Sequence, residues 1–134
     1  MGESPPLFRK KTIMLSKKIG TDFEKRMCKE LSDRGFWVHF ITPDRSGRQP
    51  FDIIAIKHGI PFAIECKTSA KKTFPITRLE DDQITAFNKW INCGNGNPMV
   101  AVEYDGHIYM IPFTVINKKQ KINLETDDEI YCWE

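Results

Sequence analysis

The apolar positions along this chain of 134 residues change period several times, and each change marks an element. From Ser16 to Arg34 they fall at helical spacing, with Phe23, Met27 and Leu31 on one stripe, Ser16 as the expected N-cap and Gly35 as the stop. Phe36 to Ile41 is aromatic and β-branched, as a strand requires, whereas Thr42 to Pro50 is polar and rich in turn formers. Two apolar runs, Phe51 to Ile56 and Ile60 to Cys66, predict a hairpin that turns at His58 and Gly59. Thr77 and Glu80 form a capping-box pattern ahead of a second helix, which runs to Asn92 and stops at Gly94. Met99 to Tyr104 and His107 to Ile111, joined at Asp105 and Gly106, predict a second hairpin with a type I′ turn. Beyond Pro112 the periodicity weakens, although Phe113 to Ile116 and Ile130 to Trp133 still offer apolar residues to a core. The order is helix, three strands, helix, two strands, a mixed α/β layout around one central sheet. Residues 1–14, with Pro5, Pro6 and a run of Arg9, Lys10 and Lys11, carry no such pattern and read as a flexible basic arm. Residues 15–134 are expected to form one domain.

Against this pattern, several charged and polar residues occupy places where apolar ones belong. With the first hairpin turning at His58 and Gly59, Asp52 falls directly across from Glu65, on the same face of the sheet. Like charges in that position destabilise a strand pair unless a cation or a raised pKa relieves them. Lys67 follows two residues after Glu65 on the same face. Phe51, Ile53, Ala55, Phe62, Ile64 and Cys66 are expected on the other face, and Ile54, Ile56 and Ala63 beside the charges, so both faces read as buried. Glu24 lies inside the apolar stripe of helix one, and Gln83 lies among Leu79, Phe87, Trp90 and Ile91 on helix two. Taken singly, each has an ordinary explanation: an exposed E-x-K pattern, a paired glutamate, a capping glutamine. Four elements aiming polar groups inward together imply one polar site at the end of the sheet.

Composition narrows the setting. The formal net charge of +2 hides an uneven split: residues 1–78 hold 16 Lys and Arg against 8 Asp and Glu, whereas residues 79–134 hold 4 against 10. A basic half suits a polyanion such as a phosphate backbone, and equally suits a solvated lysine-rich surface. The four cysteines make no C-x-x-C pair and have no histidines at zinc-ligand spacing, which argues against a structural zinc site and for a reduced, cytoplasmic chain. No export signal or membrane span is expected, and Pro6 stands where a myristoylation motif needs Ser or Thr.

Pro50, Phe51 and Asp52, followed by Glu65, Cys66 and Lys67 and preceded by a helical Glu24, resemble the PD-(D/E)XK nuclease superfamily. Gly20 to Glu24, Gly35 with Phe36, Glu65 to Ser69 and the stretch from Phe74 to Ile84 resemble its Holliday junction resolvases, both the archaeal type and the recombination protein U group. The likeness spans Lys18 to Pro112; Phe51 separates Pro50 from Asp52, and the stretch before Asp52 is shorter than in recombination protein U. The resemblance implies a restriction-endonuclease-like αβββαβ core with helices flanking a mixed sheet. It also implies hydrolysis of DNA phosphodiesters to 5′-phosphate and 3′-hydroxyl ends, and a homodimer that cuts two strands of a four-way junction in recombination and repair. On this reading Asp52, Glu65 and the Cys66 carbonyl hold Mg²⁺ or Mn²⁺, and Glu24 completes the site directly or through water. Lys67 orients the attacking water or stabilises charge, and Gln83 positions Lys67 or the water. Arg45, Arg48, Lys71, Lys72 and Arg78 are the candidate phosphate contacts. Two other readings stay open: a restriction-type or repair endonuclease on linear duplex or flap DNA, and a DNA-binding module that keeps the fold without the chemistry. Divalent-dependent cleavage separates the second from the nucleases, and the choice between junction and linear substrates separates the first.

Overall fold

A computed structural model describes residues 15–133, with side chains described from residue 22 onward. The expected arm over residues 1–14 lies outside the described residues. Helix α1 (Leu15–Asp33) is followed by β1 (Trp37–Phe40), β2 (Ile53–Lys57), β3 (Ile60–Thr68) and a short β4 (Thr73–Pro75). A turn of 3₁₀ helix at Ile76–Arg78 leads into α2 (Asp81–Asn92), then β5 (Met99–Tyr104), β6 (His107–Pro112), α3 (Phe113–Lys119), β7 (Lys121–Asn123) and β8 (Tyr131–Trp133).

Six strands form one sheet in the order β1-β2-β3-β5-β6-β8, in which only β3 and β5 run parallel, while β4 and β7 make a separate pair. The parallel step needs a crossover, and α2 supplies it, which fixes that helix against one face of the sheet. On that face Phe87 packs with Ala63, Val100, Val102, Ile111, Phe113, Phe74 and Ile122. Helix α1 covers the other face, where Phe23, Met27 and Leu31 pack on Ile53, Ala55, Ile64, Cys66, Ala101 and Met110. The expected α/β class with a mixed, helix-flanked sheet is what the chain forms.

Local chemistry explains most boundaries. Gly35 adopts φ 92°, and its N–H donates to Ser32 O while Phe36 N–H donates to Leu31 O, so α1 closes with the paired bonds of a Schellman motif. Both hairpin turns are type I′ in character, with positive φ at His58 and Gly59 and at Asp105 and Gly106. Ser16, the expected N-cap, lies within the helix. The capping box of α2 is formed by Glu80 and Gln83, with Thr77 left in the preceding 3₁₀ turn, because Leu79 turns inward and pulls the helix start three residues later. Helix α3 escapes the sequence pattern because it has seven residues, three of them β-branched in a row, and ends on Gln120 rather than glycine at φ 71°. The remaining unpredicted strands, β4, β7 and β8, have three residues each, too few to show a period.

One departure shapes the functional end of the molecule. Strand pairing follows the expected register from Lys57↔Ile60 to Ile53↔Ile64, then stops before Asp52. The Asp52 N–H donates to Ile64 O at 3.1 Å, so Asp52 does not form a ladder pair with Glu65. Alternation slips there, and Phe51 joins the α2 face instead of following Ile53 and Ala55. Its ring lies 5.8 Å from Phe87 and 5.6 Å from Trp90. Phe51→Ala is therefore expected to cost about 3 kcal/mol in urea unfolding. In double-mutant cycles it should couple to Phe87→Ala and add independently to Met27→Ala; coupling to Met27 would place Phe51 on the wrong face.

Candidate active site

Strand β2 begins at Ile53, whereas β3 runs on to Thr68, so the end of β3 projects past its neighbour. In antiparallel pairing alternate residues turn their amides toward the partner strand, and Cys66, two beyond Ile64, has lost its partner on that side. The Asp52 side chain fills the gap: Cys66 N–H donates to Asp52 Oδ2 at 2.8 Å. The break in the ladder thus turns a carboxylate into the acceptor that a backbone carbonyl otherwise supplies.

Asp52 and Glu65 keep only 4% and 3% of their surface exposed, so both carboxyl groups are largely removed from water. Gln83, brought in by α2, donates from Nε2 to Glu65 Oε2 at 2.6 Å, and its Oε1 accepts from Glu80 N–H at 2.9 Å. One side chain therefore caps its helix and holds the strand carboxyl. The contact differs from the expected one, since Gln83 reaches Glu65 rather than Lys67. Lys67 Nζ stands 3.7 Å from Glu65 Oε2. Glu24, half-buried on α1, feels the charges of both Asp52 and Lys67. The structure accordingly brings Glu24, Asp52, Glu65, Lys67 and Gln83 to one end of the sheet.

Burial dominates the electrostatics. It raises Asp52 above the ordinary carboxylate range, opposed by the Cys66 N–H bond and by Lys67. Glu65 is pushed up to about 9, first by burial and then by the neighbouring Asp52 charge. Glu24 is raised to about 7 by burial and by Asp52. Burial also pushes the Cys66 thiol well above its ordinary value, so it stays neutral and only the Cys66 carbonyl remains as a candidate oxygen ligand.

The donor set suits a hard divalent cation. Among the described residues Glu65 Oε1 is one of two buried side-chain polar atoms without a hydrogen-bond partner, and it belongs to the same carboxyl whose Oε2 is already held. That oxygen faces the Asp52 carboxyl, with which the Glu65 proton is shared, and two adjacent buried carboxyl groups with an oxygen to spare suit a cation with oxygen ligands. Among the described residues no three His, Cys, Asp or Glu side chains stand as a ready ligand cluster, so Glu24 does not join Asp52 and Glu65 as a third direct ligand.

The sequence model of the archaeal Holliday junction resolvases matches residues 15–132. The chain belongs to that family. The crossover junction endodeoxyribonuclease Hjc of Methanocaldococcus jannaschii is 30% identical over 95 residues, covering 70% of this chain and 66% of the relative, a little under two thirds of its length. The fold is similar to that of Archaeoglobus fulgidus Hjc, a Holliday junction resolvase from an archaeal hyperthermophile, with a TM-score of 0.59 and 21% identity over 86% of this chain and 88% of the other.

In this resolvase-family chain the expected phosphate contacts occupy two loops at the same end of the sheet, because the loop before β2 and the loop after β3 meet where those antiparallel strands end. Arg45 and Arg48 are exposed in the first, which Asp44 organises by accepting from Ser46 N–H, Ser46 Oγ and Arg48 N–H. Lys71 and Lys72 are exposed in the second. Arg78 is more constrained: Nη2 donates to Thr68 O at 2.7 Å, and its guanidinium lies 5.2 Å from the Phe74 ring centre. The sequence pattern missed Gln49, whose Nε2 lies 2.8 Å from Asp52 Oδ1 and 3.1 Å from Ile41 O. Nothing in a polar loop distinguishes that glutamine, since its partner is set by where the loop closes.

Raised carboxyl pKa values have a definite sign in stability. An unfolded glutamate ionises near 4.5, whereas folded Glu65 holds its proton to about 9. Its contribution is present below the unfolded value and is lost as pH rises through the folded one. In EDTA the urea midpoint should therefore fall between pH 5 and pH 9, and Glu65→Gln should flatten that fall; a midpoint that rises over the range contradicts the assignment.

Proposed function

We propose that this chain is a Mg²⁺-dependent endodeoxyribonuclease, with Mn²⁺ as a substitute, that resolves four-way DNA junctions in recombination and repair. Family membership supports the junction as substrate, and the named activity of the Methanocaldococcus jannaschii relative supports phosphodiester hydrolysis. The observation that carries the chemistry is the buried Asp52 and Glu65 pair with the unpartnered Glu65 Oε1.

Asp52, Glu65 and the Cys66 carbonyl would hold the cation, with Glu24 completing the set through water. When bound, a divalent cation polarises the scissile phosphate and lowers the pKa of a coordinated water. Gln83 fixes Glu65 through Oε2 and leaves Oε1 free. Lys67 Nζ, beside Glu65, places a positive charge where the phosphoryl oxygens gather charge in the transition state. Arg45, Arg48, Lys71, Lys72 and Arg78 line the approach to this end of the sheet and would contact the phosphate backbone. Residues 15–134 act as one nuclease domain, and residues 1–14 carry the basic run Arg9, Lys10 and Lys11. Two strands must be cut symmetrically, so the working unit is a homodimer carrying two such sites. No helix among the described residues is long and apolar enough to cross a membrane, and membership of a family that acts on DNA supports action in the cytoplasm.

Asp52→Asn, Glu65→Gln and Lys67→Ala should each lower cleavage of a labelled junction in Mg²⁺ by roughly 10²-fold or more, with junction binding retained in Ca²⁺. Linear duplex with the same arm sequences and a flap substrate serve as comparisons; preferred cutting of either moves the chain to another nuclease class. Sedimentation at micromolar concentration should give a dimer, and a monomer that still cuts would exclude paired resolution.

A further inference from the structure

We propose that Gln49 is a positioning residue for Asp52, fixing the carboxylate for cation binding and linking it to the basic loop that approaches DNA. The inference rests on the metal-dependent reading above and extends it to a residue outside the expected site.

The geometry is specific to an amide donor. Gln49 is half-buried, and three acceptors surround its Nε2: Asp52 Oδ1 at 2.8 Å, Ile41 O at 3.1 Å and, at the long limit, Phe51 O at 3.5 Å. Acceptors on every side determine which end of the amide points inward, because Oε1 in that place would meet three oxygens. Two hydrogens are available, and the two shorter distances use them. The Asp52 carboxylate is then gripped from both ends, with Oδ1 held by Gln49 and Oδ2 by Cys66 N–H. Its main chain is pinned as well, since Asp52 O accepts from Ile41 N–H at 2.8 Å and Asp52 N–H donates to Ile64 O at 3.1 Å.

A carboxylate with both oxygens engaged cannot rotate about its last bond without breaking a hydrogen bond, so its remaining lone pairs face a fixed direction. Position in the chain gives the second part of the inference. Gln49 directly follows Arg48, within a loop closed by Asp44 N–H to Arg48 O at 2.7 Å. A shift of Arg48 on engaging a phosphate would reach Gln49 through the adjoining backbone, and Asp52 through the Gln49 amide. Partners that orient metal ligands typically carry about 10-fold to 100-fold in metal affinity or activity.

Gln49→Met keeps the length of the side chain and removes the donor. Binding of Mn²⁺ alone, followed by electron paramagnetic resonance without DNA, should weaken about 10-fold in Gln49→Met relative to the unaltered chain. In an Asp52→Asn background the same change should leave the residual Mn²⁺ affinity unaltered, because the group it positions is gone. Junction binding in Ca²⁺ should remain within about 2-fold, as the loop and its arginines stay in place. Unaltered Mn²⁺ affinity in Gln49→Met, an equal loss in both backgrounds, or loss of junction binding each overturns the positioning role. If the unaltered chain binds no Mn²⁺, the metal-dependent reading itself falls, and this role with it.

Discussion

Two carboxyl groups, Asp52 and Glu65, are buried side by side where β2 gives out and β3 continues, and the organisation of that end of the molecule follows from making this tolerable. A buried carboxylate needs hydrogen bonds, a counter-charge or a proton. Each neighbour supplies one: Cys66 N–H and the Gln49 amide hold Asp52, and the Gln83 amide and Lys67 attend to Glu65. Burial and the neighbouring Asp52 charge still push the Glu65 carboxyl up to about 9, beyond what these partners offset. That residual deficit is what the proposed divalent cation would relieve, so the cost of burying the two carboxyl groups and the proposed affinity for metal have one origin.

The scaffold makes the arrangement possible by closing both faces of the sheet. Helix α1 presses Phe23, Met27 and Leu31 onto one face, while α2 and α3 place Phe87 and Phe113 on the other. Helices α1 and α2 then each contribute one polar residue at the sheet end: Glu24 one residue after Phe23, and Gln83 one turn before Phe87. Because the apolar neighbours are locked in a packed core, the polar ones inherit fixed positions at little additional conformational cost. The crossover that α2 provides between parallel β3 and β5 is thus also the means by which Gln83 reaches Glu65.

Much of this was legible in the sequence. The turns at His58 and Gly59 and at Asp105 and Gly106, the stop at Gly35 and the helical stripe of α1 are local signals, because the backbone conformation each requires is one that few residues supply. The polar residues misplaced among apolar ones, Glu24, Asp52, Glu65, Lys67 and Gln83, were visible for a related reason: a period that is kept on either side makes an exception conspicuous. The α3 helix and the strands β4, β7 and β8 were not, since elements of three to seven residues span too few periods to stand out.

What the sequence determined by itself was therefore the hairpin register, the helix faces and the set of inward-pointing polar groups. The tertiary structure decided how those groups meet. It ended the ladder at Ile53, moved Phe51 to the other face, gave Asp52 the Cys66 N–H in place of a strand partner, and directed Gln83 to Glu65 instead of Lys67. It also recruited Gln49 from a loop without any periodic signal. The reason is physical: a period reports which side of an element a residue occupies. Hydrogen bonds at the end of a sheet depend on where each strand stops, and that is set by packing between elements distant in the chain.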